Sequence, residues 1–204
     1  MTTNLKNSNK KIKPKIIAIC GYKRSGKDTI AKYLEKKHYY KHLKITYKLK
    51  ECIKLLFNLN NNDLEEKKEE INNKWNVSPR HMMQFIGTEM FQYKIQELLP
   101  NIDKKFWIQT FLNDNLVNKL RNNDKFNIVI SDLRFIHEYE ELIKLNLPII
   151  FIKVVNENIM IDDNNSLHIS EKNFLEIPIS YEINNNSDLN SLYNQIDNII
   201  KLYI

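Results

Sequence analysis

Two glycines with four residues between them are followed at once by a lysine, in the run Gly21-Tyr22-Lys23-Arg24-Ser25-Gly26-Lys27-Asp28-Thr29. An apolar stretch, Lys15 to Cys20, precedes the run, and a segment with helical spacing (Ile30, Tyr33, Leu34) follows it. A strand, a tight loop and a helix N-terminus together form an anion cradle, because successive backbone N–H groups point into the turn. Gly26 lets the backbone come close to a phosphate. Lys27 is placed to reach the outer phosphates as a mobile positive charge. Gly21, Lys23, Arg24, Ser25, Gly26, Lys27, Asp28 and Thr29 are therefore the expected phosphate-binding set. At one position the run departs from the Walker pattern. Asp28 stands where a Ser or Thr hydroxyl would meet Mg²⁺, and Thr29 comes next. Thr29 is expected to ligate or hydrogen-bond, with Asp28 either holding metal-bound water or capping the helix. A plain strand–turn–helix junction is the competing reading. It is weakened by composition: the chain has only three glycines in 204 residues, which makes a chance match about tenfold rarer than at average glycine usage.

A second candidate is Asn127 to Arg134 (NIVISDLR). An acid at the end of a hydrophobic strand resembles a Walker B element, whose Asp supports Mg²⁺. Asp132 sits where strand C-termini place ligands in α/β sheets, with helix capping as its alternative. Arg134 follows two residues later. Lysine outnumbers arginine 27 to 4, yet Arg24, Arg80 and Arg134 fall in candidate site segments. Arg makes planar bidentate contacts with phosphate that Lys cannot copy. Arg121, near a helix end, is the exception.

The third glycine lies in Ser78 to Glu89 (SPRHMMQFIGTE). Arg80, Gln84 and Thr88 share a helix face at i, i+4 and i+8. Such a stripe suits a phosphate and a base edge, or else a solvated surface. Gly87 inside a helix costs about 1 kcal/mol relative to Ala, so close approach of a ligand or of backbone is the expected reason for it. Trp107 is weighed as core against ligand platform, with core favoured. His168 and Glu171 (HISE) lie in an irregular polar stretch, 156–175, with lid character.

These residues need a frame to hold them. Asn (29 residues) replaces glycine as punctuation, since it tolerates left-handed backbone. Asn clusters at 58–62, 72–73, 122–123, 164–165 and 184–186 mark loops or helix ends. Buried strands are predicted at 15–20, 127–131, 148–155 and 179–183, with a short one at 40–46. Helices are predicted at 26–37, 47–57, 79–99, 104–121 and 134–146. A last helix is capped by Ser187 or Asp188. Residues 58–74 read as a charged surface insertion with a short helix near 63–71. Apolar strands alternating with helices mean a mostly parallel sheet covered on both faces.

The expected organisation is a flexible basic tail, 1–14, and one domain, 15–204. Within it, 79–122 forms a helical substrate-binding part. Residues 1–50 carry 15 basic and 2 acidic side chains, which suits an anionic ligand or a solubilising tail. Cys20 and Cys52 are expected as buried free thiols in a reducing compartment. No apolar run approaches 18 residues, which argues against a membrane span, and no signal-peptide pattern follows the polar start. A cytoplasmic location is expected.

Together these segments resemble the viral-type deoxynucleoside monophosphate kinase family. The residues that carry the resemblance are GYKRSGKDT (21–29), SPRHMMQFIGTE (78–89), FWIQTF (106–111), ISDLRFIHE (130–138) and LHISE (167–171), with the terminal strand and helix from Ile179. The Asp after Lys27 is part of that match. The resemblance implies a P-loop kinase fold with a five-stranded sheet and a three-layer arrangement. It implies ATP with Mg²⁺, and a deoxynucleoside monophosphate acceptor. On that basis Gly26 and Lys27 hold ATP phosphates, Thr29 and Asp132 surround Mg²⁺ partly through water, and Lys27, Asp132 and Arg134 act in catalysis. Arg80, Gln84, Gly87, Thr88, Trp107, Arg134, His168 and Glu171 meet the substrate. Nucleic acid is not an expected partner, and a homodimer stays open. Two alternatives also remain: a P-loop kinase for phosphomevalonate or dephospho-coenzyme A, and a nucleotide- or nucleic-acid-binding module without turnover.

Overall fold

The computed structural model describes residues 13–123, 125–158 and 173–203. Five parallel strands form one sheet in the order β2-β3-β1-β4-β5: β1 Ile16–Cys20, β2 Lys41–Leu43, β3 Ile128–Ile130, β4 Ile149–Val155 and β5 Tyr181–Asn184. The central strand, Ile-Ile-Ala-Ile-Cys, is buried along its whole length. Successive side chains of a strand point to opposite faces, and two cores result. Ile16, Ala18 and Cys20 join one core with Ile128 and Ile130. Ile17 and Ile19 join the other with Val129 and Ile183.

Helices cover both faces, so the fold is a three-layer α/β arrangement. On one face lie α1 (Lys27–His38) and the C-terminal helix α8 (Leu189–Lys201), through Ile30, Leu34, Leu192 and Ile196. On the other lie α2 (Tyr47–Phe57), α4 (Pro79–Gln84), α5 (Phe106–Phe111), α6 (Asp114–Asn122) and α7 (Ile136–Ile143), with α3 (Asn61–Glu65) joining through Leu64.

Local chemistry explains where elements begin and where they depart from expectation. Asp188 caps α8 by accepting the Ser191 N–H at 2.8 Å. The short insertion helix lies at 61–65, not 63–71, because Asn60 and Asp63 form a reciprocal capping box. The helix predicted over 104–121 is two helices. Leu112 leaves the helical conformation, and Asn113 caps α6 by accepting the Leu116 N–H at 3.0 Å. The helix predicted from Pro79 is α-helical only to Gln84, then π-helical over Phe85–Tyr93 and 3₁₀ over Lys94–Glu97. Asn58, Asn76 and Asn146 take positive φ in turns where glycine is the usual choice. Cys20 is buried as expected, but Cys52 is exposed on α2.

Candidate active site

The loop after β1 has the backbone that its glycines imply. Gly21 has φ +138° and Gly26 has φ +105°, a region that L side chains rarely enter. A Cβ on Gly21 would lie 2.4 Å from the carbonyl oxygen of Val154 on β4, and one on Gly26 would lie 2.6 Å from the Asn185 amide nitrogen. That amide donates to Ser25 O at 2.9 Å. The end of β5 thus pins the loop from outside. Lys27, on the first turn of α1, curls into the loop and donates to Gly21 O at 2.7 Å, to Tyr22 O and to the Ser25 hydroxyl at 3.4 Å. Tyr22 packs edge-on against Phe174, with ring centroids 4.9 Å apart.

The sheet order sets β1 beside β3, and this brings Asp28 to Ser131. A hydrogen-bond chain runs from His42 Nε2 to Ser131 Oγ (2.7 Å) and from the Ser131 hydroxyl to Asp28 Oδ1 (2.7 Å). The serine has one proton and donates it to Asp28, so His42 must donate through Nε2. Lys44 Nζ lies 2.9 Å from the same carboxylate oxygen. Burial opposes charge on Asp28. The hydrogen bond and charge of Lys44, with Ser131 and His42, outweigh it and hold the carboxyl at about 2. Burial, then the charge of Lys44, pushes His42 below its ordinary value.

Asp132 follows Ser131. Its Oδ1 accepts the Ile45 N–H at 2.9 Å, and its Oδ2 accepts the Thr46 N–H at 3.0 Å and the Thr46 hydroxyl at 2.7 Å. Asp132 therefore braces the entry to α2 as well as facing the site. The Arg134 and Phe135 N–H groups both donate to Glu138 Oε2, at 2.8 and 3.1 Å.

One cavity of about 190 Å³ joins these parts. Lys23, Arg24, Lys27 and Asp28 line it from the loop, Asp132 and Arg134 from beyond β3, and Arg80, Gln84, Gly87, Thr88 and Trp107 from the helical side. Gly21, Ser25 and Gly26 shape the loop without lining the cavity. Thr29 is on the first turn of α1 but is not among the lining residues. His168 and Glu171 lie outside the described residues. A larger cavity, about 890 Å³, opens at the β2 edge, but none of the expected residues line it. Size alone does not select a site; the phosphate-loop residues and the arginines, which line the smaller cavity and not the larger, do.

Gly87 lines the cavity, and no backbone approaches it: a Cβ there would meet only a side chain, Leu49 Cδ2 at 2.8 Å. The Trp107 indole N–H is already committed, donating to Gly87 O at 2.8 Å. Its ring therefore belongs to the core and to the cavity wall together. Several lining residues went unread in the sequence, among them Lys44, Lys50, Glu65, Lys68, Gln92 and Glu138. Two carried a local signal: Glu138, four residues after Arg134, and Gln92, which continues the Arg80, Gln84, Thr88 stripe by four. The others come from segments taken as surface or packing.

Glu138 makes a testable pH dependence. It is buried, and burial raises its carboxyl to about 8, despite the N–H groups that favour the anion. From about pH 4.5 to 8 the folded chain then holds a proton that the unfolded chain has released. Stability falls as pH rises through that window. The Tm of the wild type is expected to drop between pH 5 and 8, and the Tm of Glu138→Gln to drop less. Parallel curves in a thermal melt series would contradict this.

The deoxynucleotide monophosphate kinase family profile matches residues 15–70 and 56–196. The chain is 30% identical over 190 residues to a "Putative deoxynucleotide monophosphate kinase" of Acanthamoeba polyphaga mimivirus, covering 89% of this chain and 93% of that protein. Among solved structures, shikimate kinase from Aquifex aeolicus is similar with a TM-score of 0.41 and 10% identity, over 91% of this chain and 96% of the other. Among the described residues no helix is long and apolar enough to cross a membrane.

Proposed function

The chain belongs to the deoxynucleotide monophosphate kinase family, and from that premise we propose that it transfers the γ-phosphoryl group of ATP to a deoxynucleoside 5′-monophosphate, giving the diphosphate and ADP. The observation that carries this reading is the single cavity shared by the loop cations Lys23, Arg24 and Lys27 and the acceptor-side residues Arg80, Gln84 and Arg134.

Phosphoryl transfer asks a protein mainly for positioning and charge neutralisation. The acceptor's phosphate oxygen bonds to the γ-phosphorus as the bond to the β-bridging oxygen breaks, and ADP leaves with that electron pair. A phosphate monoester is already largely dianionic at pH 7, so no side chain has to act as base. Lys27 places its ammonium against the donor phosphates. Arg134 faces the same space and steadies the charge of the group in flight. Arg80 holds the acceptor phosphate, and the Gln84 amide meets the base edge. Asp28 and Asp132 are the carboxylates that would hold Mg²⁺, partly through water. They fit because both face the cavity and Asp28 stays ionised. Thr29 is less suited, being off the cavity wall. When bound, Mg²⁺ offsets the negative charge of the β- and γ-phosphates. Phe174 packs on Tyr22 of the loop; the lid expected over 156–175 falls mostly on residues 159–172, which lie outside the described residues.

ADP release in a coupled assay tests the proposal, with dAMP, dCMP, dGMP and dTMP screened beside phosphomevalonate and dephospho-coenzyme A. At least one dNMP is expected to drive ADP formation. ADP with none of them, or only with the other acceptors, overturns the reading. Arg134→Lys is expected to raise the dNMP KM or lower kcat by at least about tenfold, the order of one lost bidentate contact. Unchanged kinetics would show that the guanidinium fork has no role.

A further inference from the structure

The charged insertion, expected on the surface over 58–74, forms part of the site wall through Leu64, Glu65 and Lys68. Leu64 is buried. Lys50 pairs with Glu65, and Lys68 O accepts the Arg80 N–H at 2.7 Å. The last bond fixes residues 68 and 69 against the start of α4. Lys68 lines the cavity. The next residue, Glu69, accepts from Arg80 Nε at 3.2 Å and from Nη2 at 3.1 Å, both on one oxygen. Lys23 Nζ, from the phosphate loop, lies 4.0 Å from that same oxygen. One carboxylate oxygen therefore bridges a cation of the donor loop and a cation of the acceptor helix. That is the charge arrangement a phosphate oxygen would have there.

Burial alone would resist the charge on Glu69, but Arg80, Lys23 and Lys68 hold its carboxyl below the ordinary value. Its side chain is 49% exposed, against 17% for Arg80. Glu69 can swing into water at little cost while Arg80 stays in place. The cavity, about 190 Å³, is below the roughly 300–1,000 Å³ of ordinary ligand sites. Glu69 does not itself line the cavity, whereas Lys23 and Arg80 do, so its departure frees two cations for a phosphate rather than opening space.

We propose that Glu69 is an internal stand-in for the acceptor phosphate: it holds Arg80 and Lys23 until a phosphate displaces it, and Lys68 then joins Arg80 in binding that phosphate. The inference rests on the reading of Arg80 as the monophosphate residue. It makes the pair specificity-determining, because a nucleoside without a phosphate has nothing to exchange for the carboxylate.

The test uses the full chain without ATP. Calorimetry measures binding of dAMP, dCMP, dGMP and dTMP, of the matching deoxynucleosides, and of inorganic phosphate. Glu69→Gln is expected to tighten dNMP and inorganic phosphate binding by about threefold to fivefold, the effect of removing a half-exposed competing ion pair. The deoxynucleosides should not change. Lys68→Gln is expected to weaken dNMP binding about fivefold or more, and adding Arg80→Gln to Glu69→Gln should remove the gain. Thermal melts check that each variant is folded. Unchanged or weaker phosphate binding in Glu69→Gln overturns the proposal, as does an equal gain for deoxynucleosides. Failure of all four dNMPs to bind the wild type would count against the kinase reading, while the inorganic phosphate arm still decides the role of Glu69.

Discussion

Lys27→Ala is expected to lower kcat by about 10²–10³-fold, the usual loss when one preorganised charge is taken from a transition state, while the chain stays folded. The ammonium sits inside the loop on Gly21 O, Tyr22 O and Ser25 Oγ, where it can turn from loop carbonyls to phosphate oxygens with little rearrangement. No other loop residue can supply that charge from the same place. Lys23 and Arg24 are exposed on the outer turn, and Arg24 is held at φ +64°. Stability should change by no more than about 1 kcal/mol, since Ala is the best helix former on the first turn of α1 and the lost hydrogen bonds are only part-buried. ADP release measured beside a thermal melt separates the two effects. Retained turnover, or loss of activity through unfolding, would refute the assignment.

Gly21→Ala should act on the fold. The residue has φ +138°, and its added Cβ would fall 2.4 Å from a main-chain oxygen, Val154 O. That oxygen belongs to β4, which pairs with β1 up to Cys20↔Lys153, so the neighbour cannot give way without disturbing the sheet. Strained backbone of this kind costs about 1–3 kcal/mol, and the displaced strand adds to it. A total loss of about 3 kcal/mol or more is expected, which lowers Tm by roughly 6–12 °C at this chain length. Gly87→Ala is the control. Its close contact is the tip of a side chain, Leu49 Cδ2 at 2.8 Å, which can rotate, and Ala favours a helical backbone. Its stability should stay within about 1 kcal/mol of the wild type. Equal destabilisation of the two variants would contradict this account of the glycines.

The loop was legible because everything that builds it is contiguous: a buried strand, two glycines, a lysine and a helix start. Asp188 and Pro79 were legible for the same reason, as caps and first turns depend on near neighbours. The break at Asn113 had a local signal too, a capping Asn followed by Asp, but the apolar period ran across it and dominated the reading. The π-helical stretch had no such signal. It accompanies the Trp107 bond to Gly87 O, between residues 20 apart in sequence.

The sequence by itself determined the strand periods, the helix caps and the positive-φ glycines, because burial alternation and capping are set within a few residues. Tertiary structure alone decided which charges meet. Ser131 reaches Asp28 across 103 residues only because β3 lies beside β1. Glu69 reaches Arg80 only because the insertion folds back over α4. Such pairings depend on strand order and loop path, which no local period encodes, and they turned a charged stretch that read as surface into a wall of the site.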